Sequence, residues 1–424
     1  MRQLRLHLCA AGRQAEAGPE IHGRAARRDP APQSRTRCMT PDLVVAGAGL
    51  AGGLIALAVR AARPDLQVLL LDRAAGPVDR HTWSCHDTDL SSDWLTRLRP
   101  LRRASWSDQQ VRFPEHARRM RAGYGSLEDT ALLAAVQAAG ARVRWSSDIA
   151  ALDAAGATLT DGTRIEAPCV IDARGAEPSH HLAVGFQKFV GIEIETDAPH
   201  GVTRPLIMDA TVPQQDGYRF IYLLPFSPTR ILIEDTRYSD GGDLDDAALA
   251  QASHDYARDK GWTGTEMRRE RGILPIALAH DAQGFWDDHA SGAVPVGLRA
   301  GFFHPVTGYS LPYAARVADM VAALPGPLTT DRLRPALRDF ALDRARQDRF
   351  LRLLNRMLFR GCAPERRYTL LQRFYRMPEG LIERFYASTL TNADRLRIVT
   401  GKPPIPLRTA FRCLPERPLL KEFA

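Results

Sequence analysis

Two adjacent carboxylic acids, Glu234 and Asp235, follow three branched apolar residues in the stretch ILIEDTRYSD, residues 231–240. If this stretch forms a strand, the two acids lie on opposite faces, because successive side chains of a strand alternate. A buried carboxyl group is costly unless it is paired, hydrogen-bonded or protonated. The stretch therefore predicts a buried strand in which at least one acid has a chemical task.

The preceding strand, YRFIYLL, carries an aromatic residue at every second position and is joined to this stretch by the residues PFSPT. A hairpin that pairs Leu224 with Arg230 places Phe220 opposite Glu234, and directly opposed residues share a face of the sheet. A shift by one residue would reverse the faces. We therefore predict that Glu234 lies among aromatic rings and that Asp235 lies on the other side.

A glycine-rich turn further upstream is typical of dinucleotide binding. A short apolar strand runs into Gly47-Ala-Gly49-Leu-Ala-Gly52 and an Ala- and Leu-rich helix, and a second apolar strand ends at Asp72. In such a turn the first two glycines allow a tight bend and the approach of a pyrophosphate, the third allows close helix–strand packing, and the acid binds a ribose. This context predicts a Rossmann-type domain.

Later segments favour FAD over NAD as the dinucleotide. We predict a helix over residues 123–140 with Ser126 as its N-cap, then a strand and a hairpin, and then the apolar strand CVIDARG, which ends in Asp172 and Gly175. This order resembles that of FAD-dependent proteins of the aromatic-hydroxylase type. We expect Asp172 and Gly175 to contribute to the flavin site.

A second glycine-rich loop precedes a helix that we expect to begin near Tyr309, with Pro312 in its first turn. In the hydroxylases such a loop carries a Gly-Asp pair that contacts the flavin, but here Gly297 is followed by Leu298 and Arg299, so the acid is missing. The N-terminus of the helix would favour a reduced, anionic flavin. The loop residues that we expect to bind the flavin are Gly301, His304, Thr307, Gly308 and Tyr309.

Five stretches together resemble the bacterial lycopene β-cyclases and are spread over residues 40–407. One local departure is Cys85, where the family pattern has Phe. The five stretches are HTWSCHD (81–87), VIDARG (170–175), MDATVPQQDGYRFIYLLPFSPTRILIEDTRY (208–238), FHPVTGYSLP (303–312) and GLIERFYASTLTNADRLRIVTGKPPIPL (380–407).

The resemblance implies an isomerase that closes the ends of lycopene, or of other acyclic carotenoids, into β-ionone rings, through γ-carotene to β-carotene. It implies reduced FAD as cofactor and NAD(P)H as reductant, without net redox change. The family's essential glutamate falls on Glu234, and Asp235 would support it, paired with an arginine such as Arg219. Independently, protonating an isolated alkene demands a protonated carboxylic acid in a dry pocket, and an apolar site raises a carboxyl pKa in that direction.

The predicted fold class is α/β, a Rossmann-type FAD-binding domain with an inserted antiparallel β-sheet substrate domain and a C-terminal helical region. A leader over residues 1–38 has a net charge of +5 out of the total of +8, and we expect it to be disordered and Met39 to be the native start. The other predicted divisions are 39–182 with 265–327 (FAD binding), 183–264 (substrate sheet) and 328–424 (helical).

The net charge and the cysteine spacing argue against nucleic-acid binding and against a metal site. Beyond the leader the net charge is only +3, which argues against nucleic-acid binding. The six cysteines are scattered, with no CxxC pair, so we expect no metal site and a reducing, cytoplasmic compartment. Neither feature predicts an oligomeric state.

Residues 331–397 have a helical pattern rich in arginine and aromatic residues. Two interpretations stay open for any one helix, an interfacial membrane contact or packing on the flavin domain with solvated arginines. A C40 hydrocarbon has no useful water solubility, so its enzyme should collect it from a bilayer. We therefore predict peripheral association with the inner membrane, since no apolar run reaches the ~18 residues of a membrane span.

Two other functions are compatible with the dinucleotide fold. An FAD-dependent monooxygenase or an isoprenoid reductase would change the mass of its product. A dinucleotide sensor or carotenoid carrier would bind without turnover, and it would leave the acids of the ILIEDT strand unexplained.

Overall fold

The computed structural model describes residues 40–77, 81–400 and 405–423, so the predicted leader lies outside the described residues. Thr40–Ala424 form one unit by their contacts. The strands are β1 (Leu43–Ala46), β2 (Val68–Leu71), β3 (Thr82–His86), β4 (Arg102–Trp106), β5 (Gln109–Phe113), β6 (His116–Met120), β7 (Tyr124–Glu128), β8 (Arg142–Arg144), β9 (Ile149–Asp153), β10 (Gly156–Leu159), β11 (Arg164–Glu166), β12 (Cys169–Asp172), β13 (Leu182–Thr196), β14 (Leu206–Asp209), β15 (Tyr218–Pro225), β16 (Arg230–Ser239), β17 (Gly264–His280) and β18 (Val294–Pro295).

The helices follow the same chain order. They are α1 (Leu50–Ala62), α2 (Ser92–Leu98), α3 (Asp129–Ala138), α4 (Asp246–Asp259), α5 (Ala282–Asp288), α6 (Leu311–Ala322), α7 (Thr330–Gln347), α8 (Arg349–Gly361), α9 (Tyr368–Phe374), α10 (Glu379–Tyr386), α11 (Asn392–Val399), α12 (Leu407–Arg412) and α13 (Arg417–Phe423). Among the described ranges, no helix combines the length and the apolar character needed to cross a bilayer.

A five-stranded parallel sheet carries the predicted dinucleotide motif, with strand order β18-β12-β1-β2-β8. Strand β1 is apolar and buried along its whole length, as expected of a strand covered on both faces. Helices α1 and α6 share one hydrophobic core with this sheet. The predicted order of strand, glycine-rich turn, helix, strand and acid is confirmed.

A seven-stranded sheet, in the order β17-β13-β16-β15-β14-β5-β6, holds the acidic stretch on β16. One face packs against α4 through Ile231 and Ile233 of β16. The opposite face, which includes Leu232, packs against the C-terminal helices. Strands β5, β6 and most of β17 come from outside residues 183–264, so the predicted domain boundaries stay a prediction.

The helix predicted over residues 123–140 is wrong in its first part. Residues 124–128 form β7, which pairs with β3 on one side and β4 on the other, and α3 begins only at Asp129. Ser126 is therefore not an N-cap, because its hydroxyl lies 2.7 Å from the hydroxyl of Ser84 across the strand pair. The helix after the second glycine-rich loop is confirmed, with Pro312 in the first turn of α6.

Candidate active site

The hairpin of β15 and β16 places Glu234 on an aromatic face. Tyr222 lies opposite Glu234, so the predicted pairing of Leu224 with Arg230 is wrong by two residues. The loop is tighter than predicted, because the Phe226 amide donates to the carbonyl of Arg230 at 2.8 Å. A shift of two residues keeps every side chain on its face, so the prediction that Glu234 lies among aromatic rings is confirmed.

Glu234 lines an enclosed cavity with neither a lysine nor an arginine among its lining residues. The carboxyl group is almost fully buried, and the Thr236 hydroxyl donates to Oε1 at 2.6 Å. The aromatic residues that line the cavity are Tyr124, Phe220, Tyr222, Tyr238, Tyr309 and Tyr386.

Burial raises the pKa of Glu234 to about 8, and the negative charges of Glu270 and Asp235 act in the same direction against the hydrogen bond from Thr236. A desolvated carboxylate is disfavoured because the low-dielectric surroundings stabilise charge poorly. Glu234 is therefore a carboxylic acid with a proton to donate at neutral pH.

A glycine lets a second acid approach Glu234. Gly191 on β13 pairs with Glu234 on one side and Glu270 on the other. A Cβ at Gly191 would lie 3.4 Å from Cβ of Glu234 and 3.3 Å from Cγ of Glu270. Glu270 accepts a hydrogen bond from Thr82 at 2.8 Å and lies 3.0 Å from a guanidinium nitrogen of Arg268. Glu270 thus has a cation beside it, whereas the lining of the Glu234 cavity supplies none.

Asp235, unlike Glu234, is surrounded by cations. Its side chain is fully buried on the α4 face and is bound by the guanidinium groups of Arg219 at 2.6 Å and Arg237 at 2.8 Å. The predicted pairing with Arg219 is confirmed. Because it lies behind the strand, Asp235 does not line the Glu234 cavity.

The predicted dinucleotide residues meet at the carboxyl ends of β1 and β2. Gly47 has a φ of +102°, and a Cβ there would lie 2.6 Å from the carbonyl oxygen of Ala173. A Cβ at Gly52 would lie 2.1 Å from the carbonyl oxygen of Gly47. At Gly49, the N-cap of α1, a Cβ would meet nothing within 4 Å. Asp72 accepts a hydrogen bond from the Ala48 amide at 2.9 Å and so braces this turn.

Asp172, at the end of β12, lies beside two arginines. Arg174 donates to it at 2.7 Å and 2.8 Å, and Nε of Arg299 lies 3.3 Å away. Gly175 follows with a φ of +91°. Arg299, two residues after Gly297, is therefore paired with the acid at the end of the neighbouring strand.

The loop over residues 303–309 connects the glycine-rich region with the Glu234 cavity. Nε2 of the buried His304 donates to the carbonyl of Phe385 at 2.9 Å, and its Nδ1 accepts from the Thr307 hydroxyl at 3.1 Å. Burial lowers the pKa of His304, which keeps the ring neutral. Thr307 and Tyr309 line the cavity. Gly301 and Gly308 have φ values of +70° and +69°, which explains glycine at both positions.

One group of metal-ligating type occurs among the described residues. Ligand atoms of His180, His181 and Asp288 lie within 4.8 Å of one another on the surface, and no sequence motif had pointed to them. His180 and Asp288 are more than half exposed, and His181 is already hydrogen-bonded to Asp288 at 2.9 Å.

Comparison with known proteins identifies the family. The sequence profile described as "Lycopene cyclase protein" matches residues 42–412. A lycopene β-cyclase of Paracoccus sp. (strain N81106 / MBIC 01143) is 79% identical over 91% of this chain and 100% of its own length. A lycopene β-cyclase of Pantoea ananas is 44% identical over 88% of this chain and 97% of its own.

This chain belongs to the lycopene cyclase family.

Solved structures establish the fold of this lycopene cyclase family member. A flavin-dependent brominase superimposes with a TM-score of 0.57 at 13% identity, over 82% of this chain and 94% of its own. A geranylgeranyl bacteriochlorophyll reductase-like protein from Thermoplasma acidophilum gives a TM-score of 0.51 at 14% identity, over 90% of this chain and 98% of its own. The predicted fold class, a Rossmann-type flavoprotein fold with a helical C-terminal region, is confirmed.

The glycine-rich turn of this chain fits the pyrophosphate of FAD. The open space at Gly49 adjoins the N-terminus of α1, where backbone amides are available to an anion. The contacts at Gly47 and Gly52 exclude any larger residue, as the dinucleotide turn requires.

Sequence reasoning missed several residues of the site. Gly191 and Glu270 approach Glu234 from two other strands, and the sequence offers no signal for either, because Gly191 pairs with Glu234 from β13 and Glu270 lies beyond it on β17. Tyr124 and Tyr386 come from still more distant segments. Tyr386 falls in one of the five family-like stretches, as does Thr236, which the alternation of a strand places on the same face as Glu234.

Proposed function

We propose that this chain is a lycopene β-cyclase, which converts the acyclic ends of lycopene into β-ionone rings, through γ-carotene to β-carotene, without net redox change. The observation that carries the proposal is the protonated Glu234 in an aromatic cavity. The family membership and the names of both relatives support it.

Glu234 donates the proton that starts cyclisation. The Thr236 hydroxyl donates to Oε1, so that oxygen acts as the carbonyl of the acid and Oε2 is left to hold the proton. The receiving alkene becomes a carbocation, which must be stabilised without being attacked. The faces of Phe220 and Tyr222 provide negative potential for a cation and contain no strong nucleophile.

Asp235 is a positioning residue in this scheme. Its ion pairs with Arg219 and Arg237 anchor β16 from the face that the cavity does not use. The aromatic enclosure excludes water, which would otherwise capture the cation or solvate the acid.

FAD would be held by residues of four segments. Gly47, Gly49 and Gly52 take the pyrophosphate, and Asp72 takes the ribose. Gly175 with Asp172 and the residues Gly301, His304, Thr307, Gly308 and Tyr309 form the flavin side. When bound in its reduced form, with NAD(P)H as the reductant, FAD would supply negative charge that stabilises a carbocation. Thr307 and Tyr309 link the two sites because both also line the Glu234 cavity.

The enzyme works at the cytoplasmic face of the inner membrane as a peripheral protein. Five apolar side chains of the α11–α12 region are exposed by 47% or more: Leu396, Val399, Leu407, Phe411 and Leu414. Arg397, Arg408 and Arg412 are exposed on the same helices. Apolar side chains flanked by arginines are typical of helices that lie in a membrane surface.

An anaerobic assay with liposomal lycopene and chemically reduced FAD tests the proposal. Wild-type protein should yield β-carotene of unchanged mass, and Glu234→Gln should yield none while it still binds flavin. Glu195→Gln is the matched control, because Glu195 lies on the neighbouring strand with a partly exposed side chain. A product that has gained oxygen or hydrogen would instead establish the monooxygenase or the reductase.

A further inference from the structure

A large apolar groove lies among the C-terminal helices, on the far side of the loop that borders the Glu234 cavity. It has a volume of about 530 Å³, within the range of ~300–1,000 Å³ that is usual for small-molecule sites. Side chains of α8, α9, α11 and α12 line it, and all but a few of these side chains are aliphatic or aromatic. Such a lining suits an occupant without polar groups.

The floor of the groove is also the wall of the Glu234 cavity. Val306 lines the groove, and the next residue, Thr307, lines the cavity. In the same way Phe385 lines the groove and Tyr386 lines the cavity. Two chain segments, each one residue thick, therefore separate the apolar space from the catalytic acid. The hydrogen bond from His304 to the Phe385 carbonyl ties these segments together.

The rim of the groove is the most exposed apolar part of the described surface. Leu407 is 63% exposed and Phe411 is 68% exposed, and both line the groove. Of the seven large apolar side chains exposed among the described residues, only Met267 and Ile273 lie outside α11, α12 and Leu414, which stands two residues after α12. An exposed apolar rim that continues into a buried apolar floor marks a path from the surface to the interior.

We propose that this groove binds the acyclic hydrocarbon chain that trails from the end being cyclised, and that the chain reaches Glu234 past Val306 and Phe385. The inference rests on the proposed function and adds a binding site for the unreacted part of the substrate. A carotenoid is far longer than the Glu234 cavity, so its remaining carbons need an apolar space that adjoins that cavity. The groove is such a space, because Val306 and Phe385, which line it, are bonded in the chain to Thr307 and Tyr386, which line the cavity.

The test compares lycopene with a short acyclic analogue that carries the same end group but is too short to enter the groove. Leu354→Trp on α8 and Leu371→Trp on α9 fill the groove from its two sides. Phe411→Ser changes the exposed rim, where the side chain is 68% exposed, and should therefore disturb the fold less than the tryptophan variants. Ile273→Trp is the control, at an exposed apolar position elsewhere.

Both tryptophan variants should lose at least ~10-fold in kcat/KM for lycopene and retain their activity on the short analogue, because a misplaced substrate reacts slowly. Phe411→Ser should show a smaller loss with the same selectivity, and Ile273→Trp should show none. Unchanged lycopene turnover in all three groove variants would overturn the inference. So would an equal loss on both substrates, or phospholipid that stays in the groove when lycopene is added. If wild-type protein cyclises neither substrate, the proposed function itself fails.

Discussion

Glu193 and Glu234 are both buried glutamates on neighbouring strands of one sheet, yet at neutral pH Glu193 is ionised and Glu234 is protonated. Burial alone would raise the pKa of Glu193, but hydrogen bonds from Arg103 and Arg230, with the charge of Arg268 nearby, lower it to about 2. Burial raises the pKa of Glu234 to about 8, since no guanidinium lines its cavity.

The difference teaches that desolvation raises the pKa of a buried carboxyl group and that neighbouring cations decide whether this rise is reversed. Glu193 is an anion that joins β13 to its surroundings. Glu234 is a neutral acid, because ionising it in the cavity is expensive, and it therefore still holds a proton at neutral pH. The sheet thus holds a structural carboxylate and a reactive carboxylic acid on adjacent strands.

The largest expected effect follows from removing the proton donor. Glu234→Gln should lower the cyclisation rate by at least ~10³-fold, since positioned acids contribute about 10²–10⁴ and the alkene is a very weak base. Product formation from liposomal lycopene measures the loss.

The same variant should gain stability at neutral pH. The unfolded state releases the Glu234 proton above about pH 4.5 and the folded state only above about 8, so wild-type stability falls as pH rises between these values. Glu234→Gln removes this penalty, which amounts to roughly 3 kcal/mol at pH 7. Urea unfolding at pH 5 and pH 7 checks the difference. A gain of the same size at both pH values would contradict the assignment.

Removing a cation from the other glutamate should destabilise the fold. Arg103→Met takes away the guanidinium that lies 2.5 Å from Glu193 and should cost about 3 kcal/mol in the free energy of unfolding. The control variant Arg258→Met removes an exposed guanidinium and should change the free energy of unfolding by less than ~0.5 kcal/mol.

Acid titration sharpens this result. In the wild-type protein the stabilisation from Glu193 is complete above about pH 4.5 and is lost as pH falls toward about 2. In Arg103→Met the pKa of Glu193 rises, so the loss should begin at a higher pH. Denaturation curves between pH 3 and pH 7 measure it, and an unchanged acid limb would refute the role given to Arg103.

A smaller effect is expected from Glu270, whose negative charge raises the pKa of Glu234. Glu270→Gln should lower that pKa and move the alkaline limb of the pH–rate profile to lower pH, with a several-fold loss of activity near pH 8. Activity near pH 6 should change little. Glu266→Gln on the same strand is the control, and a limb that moves equally in both variants would count against Glu270.

The smallest effect is expected at Gly191. In Gly191→Ala the new Cβ would lie 3.1 Å from Leu232 and 3.4 Å from Glu234, so these neighbours must shift by a few tenths of an ångström. We expect a loss of roughly 2- to 10-fold in kcat, because reacting groups tolerate little displacement. Gly241→Ala, where a Cβ meets nothing within 4 Å, should have wild-type activity.

Local features of this protein could be predicted from its sequence. The turn from Gly47 to Gly52, the acid at Asp72 and the start of α6 follow from patterns within a few residues. The alternation of side chains along a strand also predicted the faces of the sheet on which Glu234 and Asp235 lie. This prediction is correct although the predicted hairpin register is wrong by two residues, because side chains return to the same face every two residues.

Non-local pairings could not be predicted. Strand β5 joins the seven-stranded sheet by pairing with β14, about a hundred residues later, and no local pattern selects that partner. The meeting of Glu234 with Glu270 depends on β13, which lies between their strands and contributes only the hydrogen atom of Gly191. The arginines that lie beside Glu193 but not in the lining of the Glu234 cavity are likewise brought to their places by the tertiary fold.

The enclosure of the Glu234 cavity has a consequence for the proton balance of each catalytic turnover. In a cyclisation the substrate and the product are isomers, so the proton given at the start is matched by the proton lost at the end. If the proton lost at the end returns to Glu234, a cavity shielded from water can therefore complete one cycle after another without importing acid from the solvent. For such chemistry, isolation from water does not limit the supply of protons, and one protonated carboxyl group can act on many molecules of substrate in turn.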